Sequence, residues 1–327
     1  MKVLAGDIGG TKTRLGIFEI EGGRFRTIEE KGYSSREYPG LEDIVVDFVG
    51  TDGSACQVAC FGVAGPSTGR RMRPTNLPWV VDGGELEKRS GIPSVLLLND
   101  LEATGWGVGA LDETQAVVLN SGKPDATGNG AVIAAGTGLG EGGIYWDGTT
   151  PRPFACEGGH ASFSPTDEFG DRLLVFLRRR HGHVSWERVL SGPGLADLYR
   201  FMLADGDRPQ PEWFAEAENA GDPVPAISQA ALDGVCDISK RTIELFARLY
   251  GEEAGNLALK TMATGGVWVG GGIAPKILGY LENGQFLEGF LNKGRMRPLL
   301  ETMPVRVILD DRTALLGAAA FAANYSS

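Results

Sequence analysis

The chain has 327 residues, 42% hydrophobic and 22% charged, a globular balance that excludes a disordered protein. Its 49 glycines show no three-residue period, which excludes collagen. The net charge of −11 excludes nucleic acid as the main partner, because backbone phosphates need a basic face, but it leaves a nucleotide open.

Lys2–Asp7 reads as a buried strand, Gly9-Gly10-Thr11 as a turn, and Arg14–Ile20 as a second strand, with Arg24–Gly32 completing an antiparallel meander. Leu41–Val49 has helical spacing, and Cys56–Ala64 is strand-like and stops at Gly65-Pro66. Glu85–Arg89 is expected as a short helix, Ser94–Leu98 as an apolar strand, and a helix begins near Leu101. A second strand–turn–strand unit lies at Gly130–Tyr145, with its turn in Gly136–Gly140. Residues 167–263 are expected to be mostly helical, with one apolar-periodic stretch over Ile227–Leu249. Val267–Val269 reads as a strand and Ala274–Leu281 as a helix with Pro275 near its start. Val305–Leu309 reads as a strand, and Asp311 offers an N-cap for a last helix reaching about Ala323. Strands and helices alternate, so the class is α/β with mixed sheets.

Cys56, Cys60, Cys156 and Cys236 have no zinc-ligand spacing and are expected as reduced, buried thiols. The start does not resemble a signal peptide, and apolar runs such as Ala314–Ala323 are too short to span a bilayer. The expectation is a cytoplasmic protein without a membrane partner.

Three glycine clusters carry chemistry. In Asp7-Ile8-Gly9-Gly10-Thr11-Lys12 the glycines let backbone N–H groups converge on an anion, and Thr11 and Lys12 add a hydroxyl and a charge. Asp7, ending a strand, suits a Mg²⁺ ion held through water. No Walker sequence occurs, and a strand follows the turn where a Walker loop needs a helix. Gly138, Gly140 and Gly143 spell G-x-G-x-x-G, but a strand follows here too, against a dinucleotide fingerprint. The better reading is a second phosphate turn, with Thr137 and Gly138 on the other side of a triphosphate. Gly270-Gly271-Gly272 would leave a flat slot for adenine and ribose, although close strand–helix packing asks for the same residues.

As a spaced set, these clusters resemble the two phosphate motifs and the adenosine motif of the hexokinase–actin–Hsp70 superfamily. Leu98-Asn99-Asp100-Leu101-Glu102-Ala103, Glu157-Gly158-Gly159-His160 and Trp186–Gly194 then resemble the bacterial glucokinases, over nearly the whole chain. The resemblance implies a two-domain actin-like, hexokinase-like (ribonuclease H-like) ATPase fold with a cleft between the domains. It implies ATP and Mg²⁺ as cofactors, with Asp7, Gly9, Gly10, Thr11, Lys12, Thr137, Gly138, Gly271 and Gly272 around the nucleotide. Asp100 becomes the base for the 6-hydroxyl of glucose, and Asn99, Glu157, His160 and Glu187 bind the other hydroxyls. A homodimer is implied as well.

A carboxylate suits the base role because it is ionised at neutral pH; an Asp capping the helix is the bland alternative for Asp100. His181 and His183 flank a glycine and, with no third ligand nearby, read as surface residues. No cysteine follows His160 until Cys236, so the cysteine cluster that holds zinc in a related kinase and repressor family is missing, and no zinc is expected. Another hexose kinase (fructose, mannose or N-acetylhexosamine) is the nearest alternative. A sugar-sensing regulator would carry an N-terminal helix-turn-helix, for which no room is expected ahead of residue 6. The strand–turn–strand pattern restarts near residue 110, so the expected domains are 1–110 with 300–327 and 111–299.

Overall fold

The computed structural model describes residues 1–21, 24–50, 55–65 and 67–325. Contacts group the chain into two units, Met1–Gln115 with Gly143–Ala155 and Asp310–Ser327, and Ala116–Gly142 with Cys156–Leu309.

In the first unit β1 (Lys2–Ile8), β2 (Lys12–Glu21) and β3 (Arg24–Ser34) form the expected antiparallel meander. β1 also pairs in parallel with β4 (Val58–Val63). The short strands β5 (Ser67–Thr68), β6 (Arg71–Met72) and β7 (Val81–Asp82) make a small sheet of their own. β8 (Val95–Asn99) completes the main sheet in the order β3-β2-β1-β4-β8. Period-two alternation divides β1 between two cores. Leu4 and Ile8 pack with Leu41, Ile44 and Val45 of α1 (Leu41–Val49) and with Leu86 of α2 (Gly83–Ser90). Val3 and Ala5 pack with Ala103 of α3 (Asp100–Gly107) and with Leu315 and Ala318 of the C-terminal helix.

The second unit contains β9 (Ala116–Asn120), β10 (Gly130–Ala135), most of the glycine turn, β13 (Gly266–Gly270) and β14 (Val305–Ile308). With β11 (Leu139–Trp146) and β12 (Pro151–Cys156) these follow the sheet order β12-β11-β10-β13-β14-β9. The helices are α4 (Glu168–His181), α5 (Gly192–Asp205), α6 (Glu212–Asn219), α7 (Val224–Leu232), α8 (Asp237–Thr261), α9 (Leu278–Glu282), α10 (Gln285–Leu291) and α11 (Arg297–Leu300); α12 (Thr313–Tyr325) belongs to the first unit. Along α8, Ile243, Phe246, Ala247, Tyr250, Ala254 and Leu257 recur every three or four residues and join Ile133, Val267 and Val269 in one core. No helix among the described residues is long and apolar enough to cross a membrane.

Several expectations change. Ile227–Leu249 is not one helix: Gly234, at φ +67°, ends α7, and Cys236 starts α8 by accepting the Ser239 N–H at its sulfur. Ala274–Leu281 divides into a 3₁₀ turn over Ala274–Ile277 and then α9. Asp311 does not cap α12. Its carboxylate takes both guanidinium nitrogens of Arg14 at 2.8 and 2.6 Å, and the Thr313 N–H goes to the Asp310 carbonyl. All four cysteines are free, but only Cys56 and Cys60 are buried; Cys156 is exposed. His181 is half-buried and paired at 2.6 Å with the buried Asp197, because α4 and α5 pack there; His183 is exposed. Residues 300–309 group with the second unit, since β14 pairs with β13 and β9, while 111–115 and 143–155 group with the first.

Candidate active site

In the first unit, Asp7 stands near the end of β1, opposite Arg14 on β2. The turn between them is tight: the Gly9 N–H donates to the Lys12 carbonyl at 3.0 Å, so Gly9 shapes the turn while Gly10 and Thr11 form its tip. Buried Ser35 latches it, donating to the Gly9 carbonyl at 2.9 Å and bonding the Thr13 hydroxyl at 3.0 Å. Burial, then the negative charge of Asp100, pushes the Asp7 carboxyl from 3.8 to about 6, against the opposing pull of Arg14.

Asp100 is the first residue of α3, directly after β8. Gly62 on β4 leaves room for that helix start; a Cβ there would lie 2.8 Å from the Ala103 Cβ. The cap is Asn99, whose side-chain oxygen accepts the Leu101 and Glu102 N–H groups at 2.9 and 3.4 Å and whose amide donates to the Gly65 carbonyl at 3.2 Å. The capping role weighed for Asp100 therefore falls to its neighbour, and Asp100 is left at the strand-to-helix corner. Its Oδ1 also accepts the Leu101 N–H at 3.0 Å.

In the second unit, three of the sequence candidates converge. His160 lies 3.7 Å from Glu157 and 3.9 Å from Glu187, measured between ring nitrogens and carboxylate oxygens. Gly158–His160, which Glu157 precedes, and Trp186–Arg188 are separate 3₁₀ turns, brought together by the Ser162–Ser185 bridge and the Trp186 N–H to Ala161 carbonyl bond at 2.9 Å. Glu187 also accepts the Leu139 N–H at 3.1 Å and crowds Gly138, where a Cβ would overlap its carboxylate. One side chain thus faces both His160 and the second glycine turn. That turn is closed by Gly136 N–H to Gly138 carbonyl and tied to α5 by Gly192 N–H to Gly136 carbonyl, both 2.8 Å. The position of a Gly136 Cβ would lie 3.9 Å from the Gly272 nitrogen, so the second and third glycine clusters are neighbours.

Sequence reasoning missed the groups that hold these pieces. Ser35 and Asn76, whose Cβ abuts Gly10, support the first turn. Beneath the 157–160 turn lies a buried acid pair, Glu141 on β11 and Glu253 on α8, and the Glu141 carboxyl packs against Gly158. Burial and the charge of Glu253 raise the Glu141 carboxyl well above the usual carboxylate range. Glu253 accepts from Asn256 at 2.7 Å and from Lys260 at 3.3 Å. A glutamate between glycines and another in a helix both read as solvated residues in sequence.

Two α/β units with paired glycine turns, a carboxylate at a strand-to-helix corner and a carboxylate–imidazole cluster define a sugar kinase. A solved glucokinase from an Antarctic psychrotroph is similar with a TM-score of 0.87 and 31% identity, covering 99% of each chain. The glucokinase of Balamuthia mandrillaris, solved with glucose, shares the fold with a TM-score of 0.80 at 20% identity, covering 99% of this chain and 93% of its own. A family model described as glucokinase matches residues 4–325, and the glucokinase of Trichormus variabilis is 40% identical over 98% of this chain and 99% of its own. The chain belongs to the glucokinase family.

Proposed function

We propose that this family member transfers the γ-phosphoryl group of ATP to the 6-hydroxyl of glucose, with Asp100 as the base. The Asp100 carboxylate takes the hydroxyl proton as the new O–P bond forms and the bond to ADP breaks, giving glucose 6-phosphate, ADP and a proton. Glu157, His160 and Glu187, with the amide of Asn99, hold the remaining hydroxyls. Gly10, Thr11 and Lys12 receive phosphate oxygens on one unit; Thr137, Gly138, Gly271 and Gly272 receive the nucleotide on the other.

The donor set fits Mg²⁺. Among the described residues no cluster of three or more His, Cys, Asp or Glu side chains is placed to hold a metal. Mg²⁺ on a nucleotide needs few, since phosphates and water fill most of its shell. Asp7 is the residue that would hold it, and a cation there offsets both the burial and the Asp100 charge that raise its pKa. When bound, the ion neutralises charge on the phosphates.

The observation that supports this reading is the convergence of Glu157 and Glu187 on His160, with Glu187 also accepting the Leu139 N–H of the second glycine turn. The same reading takes the first unit as the small domain and the second as the large, the reaction as cytoplasmic, and the active particle as a homodimer, which light scattering measures. The test of function is a coupled assay with ATP and a panel of hexoses, with phosphorus NMR of the product. Glucose should give the highest kcat/KM and a phosphate on O6. A higher kcat/KM for fructose, mannose or an N-acetylhexosamine would replace glucose as the substrate.

A further inference from the structure

Tyr250 is a fully buried residue of α8 whose hydroxyl lies in the seam between β10 and β13. It accepts the Ala135 N–H at 2.9 Å and can donate its one hydrogen to the carbonyl of Ile133 at 3.1 Å or of Gly270 at 3.0 Å. The two strands run in register up to Ala134 opposite Gly270. There they part: Ala135 enters the second glycine turn, while Gly271 takes φ +81°, a conformation open to glycine, and a Cβ on it would overlap the Ala135 carbonyl. The Ile273 N–H then returns to the Ala135 carbonyl at 3.2 Å. Buried backbone groups need partners, and at this fork the phenol supplies one that the ladder cannot. Burial raises the phenol pKa, so the donor stays in place.

We propose that Tyr250 is a positioning residue for the nucleotide: its hydroxyl pins the fork of β10 and β13 and so sets the spacing of Gly136–Gly140 from Gly271 and Gly272. The inference rests on reading those clusters as the nucleotide site. Its ring has a separate duty, edge contacts with Phe246 and Phe286 at centroid distances of 5.9 and 5.8 Å, which a phenylalanine would keep. The hydroxyl alone carries the proposal.

The experiment compares Tyr250→Phe, Tyr199→Phe and Gly272→Ala by steady-state kinetics in ATP and glucose, with thermal melts. Losing this hydrogen-bond set should raise the ATP KM about five- to tenfold, and calorimetry should show glucose affinity unchanged. Tyr199 is equally buried in the same core, but its hydroxyl faces Cys236, at 3.8 Å from the sulfur, and Ser239 at the start of α8 rather than the fork, so its variant should keep the wild-type ATP KM. Equal rises in both tyrosine variants would mean a general core effect and overturn the inference. Gly272→Ala tests the underlying reading, because a Cβ there meets nothing within 4 Å and the fold can accept it. A raised ATP KM in Gly272→Ala with none in Tyr250→Phe sinks the inference alone; no rise in either sinks the nucleotide reading with it. Should Tyr250→Phe fail to fold, hydrogen exchange of the wild-type protein serves. The Ala135 amide should exchange as slowly as that of Ile133, and fast exchange at Ala135 alone would show that the hydroxyl does not hold it.

Discussion

The glycine turn between β1 and β2 stands among charges: Asp100, Arg14 and Asp311 all act on Asp7, and Arg14 pairs with Asp311. The turn between β10 and β11 has the same strand–turn–strand path, but its Ala135 and Leu139 N–H groups donate to Tyr250 and Glu187 and its Gly136 carbonyl accepts from Gly192, with the buried Glu141 behind it. The first arrangement is electrostatically costly without a cation, because burial and a like charge both oppose ionisation of Asp7. In the second the turn itself is tied through its backbone, and the like-charge cost falls on the buried Glu141–Glu253 pair behind it. On the proposed function, the first region would handle charge in the reaction and the second would hold ligands in place.

Asp7→Asn should break that contrast most sharply. Turnover should fall by roughly 10²–10³, the usual loss when a charge-stabilising group is removed from an active site. Stability should move the other way. The folded pKa of about 6 lies above the ordinary 3.8, so the folded protein binds this proton more tightly and stability declines as pH rises from about 4 to about 6. At pH 7 the variant should therefore be the more stable, by of order 1–2 kcal/mol after solvent screening, and the gain should vanish below about pH 4. Melting curves at both pH values check the sign, and a destabilised variant at pH 7 would remove the strain assigned to Asp7.

Glu157→Gln should act on binding. Losing a polar partner costs about 1–3 kcal/mol, so glucose KM should rise roughly 5- to 150-fold with the ATP KM unchanged. Unchanged glucose affinity by calorimetry would take Glu157 out of the site.

The smallest effect concerns Glu141. Its folded pKa is raised, so the wild type loses stability as pH climbs above the ordinary carboxylate value of 4.5, whereas Glu141→Gln does not. The melting-temperature difference should shift in favour of the variant from about pH 4.5 to about pH 8 and change no further above that. A difference independent of pH would mean that Glu141 is ionised in the folded protein.

The contrast also explains what the sequence could disclose. Glycine clusters at strand ends are legible as tight turns, and Asn99-Asp100 is legible as the end of an apolar strand. Glu157 and His160 are close in sequence, while Glu187 joins them only through the Ser162–Ser185 bridge, which no local pattern announces. β9 and β12 carry no clear strand signal: one is a five-residue run without alternation and the other contains Pro151 and Pro153, which argue against a strand. Tyr250 and Glu253 lie on the buried face of α8, where a stripe pattern cannot tell a tyrosine that packs from one that holds backbone, or a buried acid from a solvated one. The helix break at Gly234 was hidden because apolar spacing continues on both sides of it.

Asp100→Asn, with turnover and glucose affinity measured on the same preparation, tests the central claim most directly. Asp100 is read as the base, so kcat should fall by roughly 10²–10⁴ while calorimetry gives near wild-type glucose binding. Near wild-type turnover, or a loss of activity fully accounted for by lost glucose binding, would contradict it.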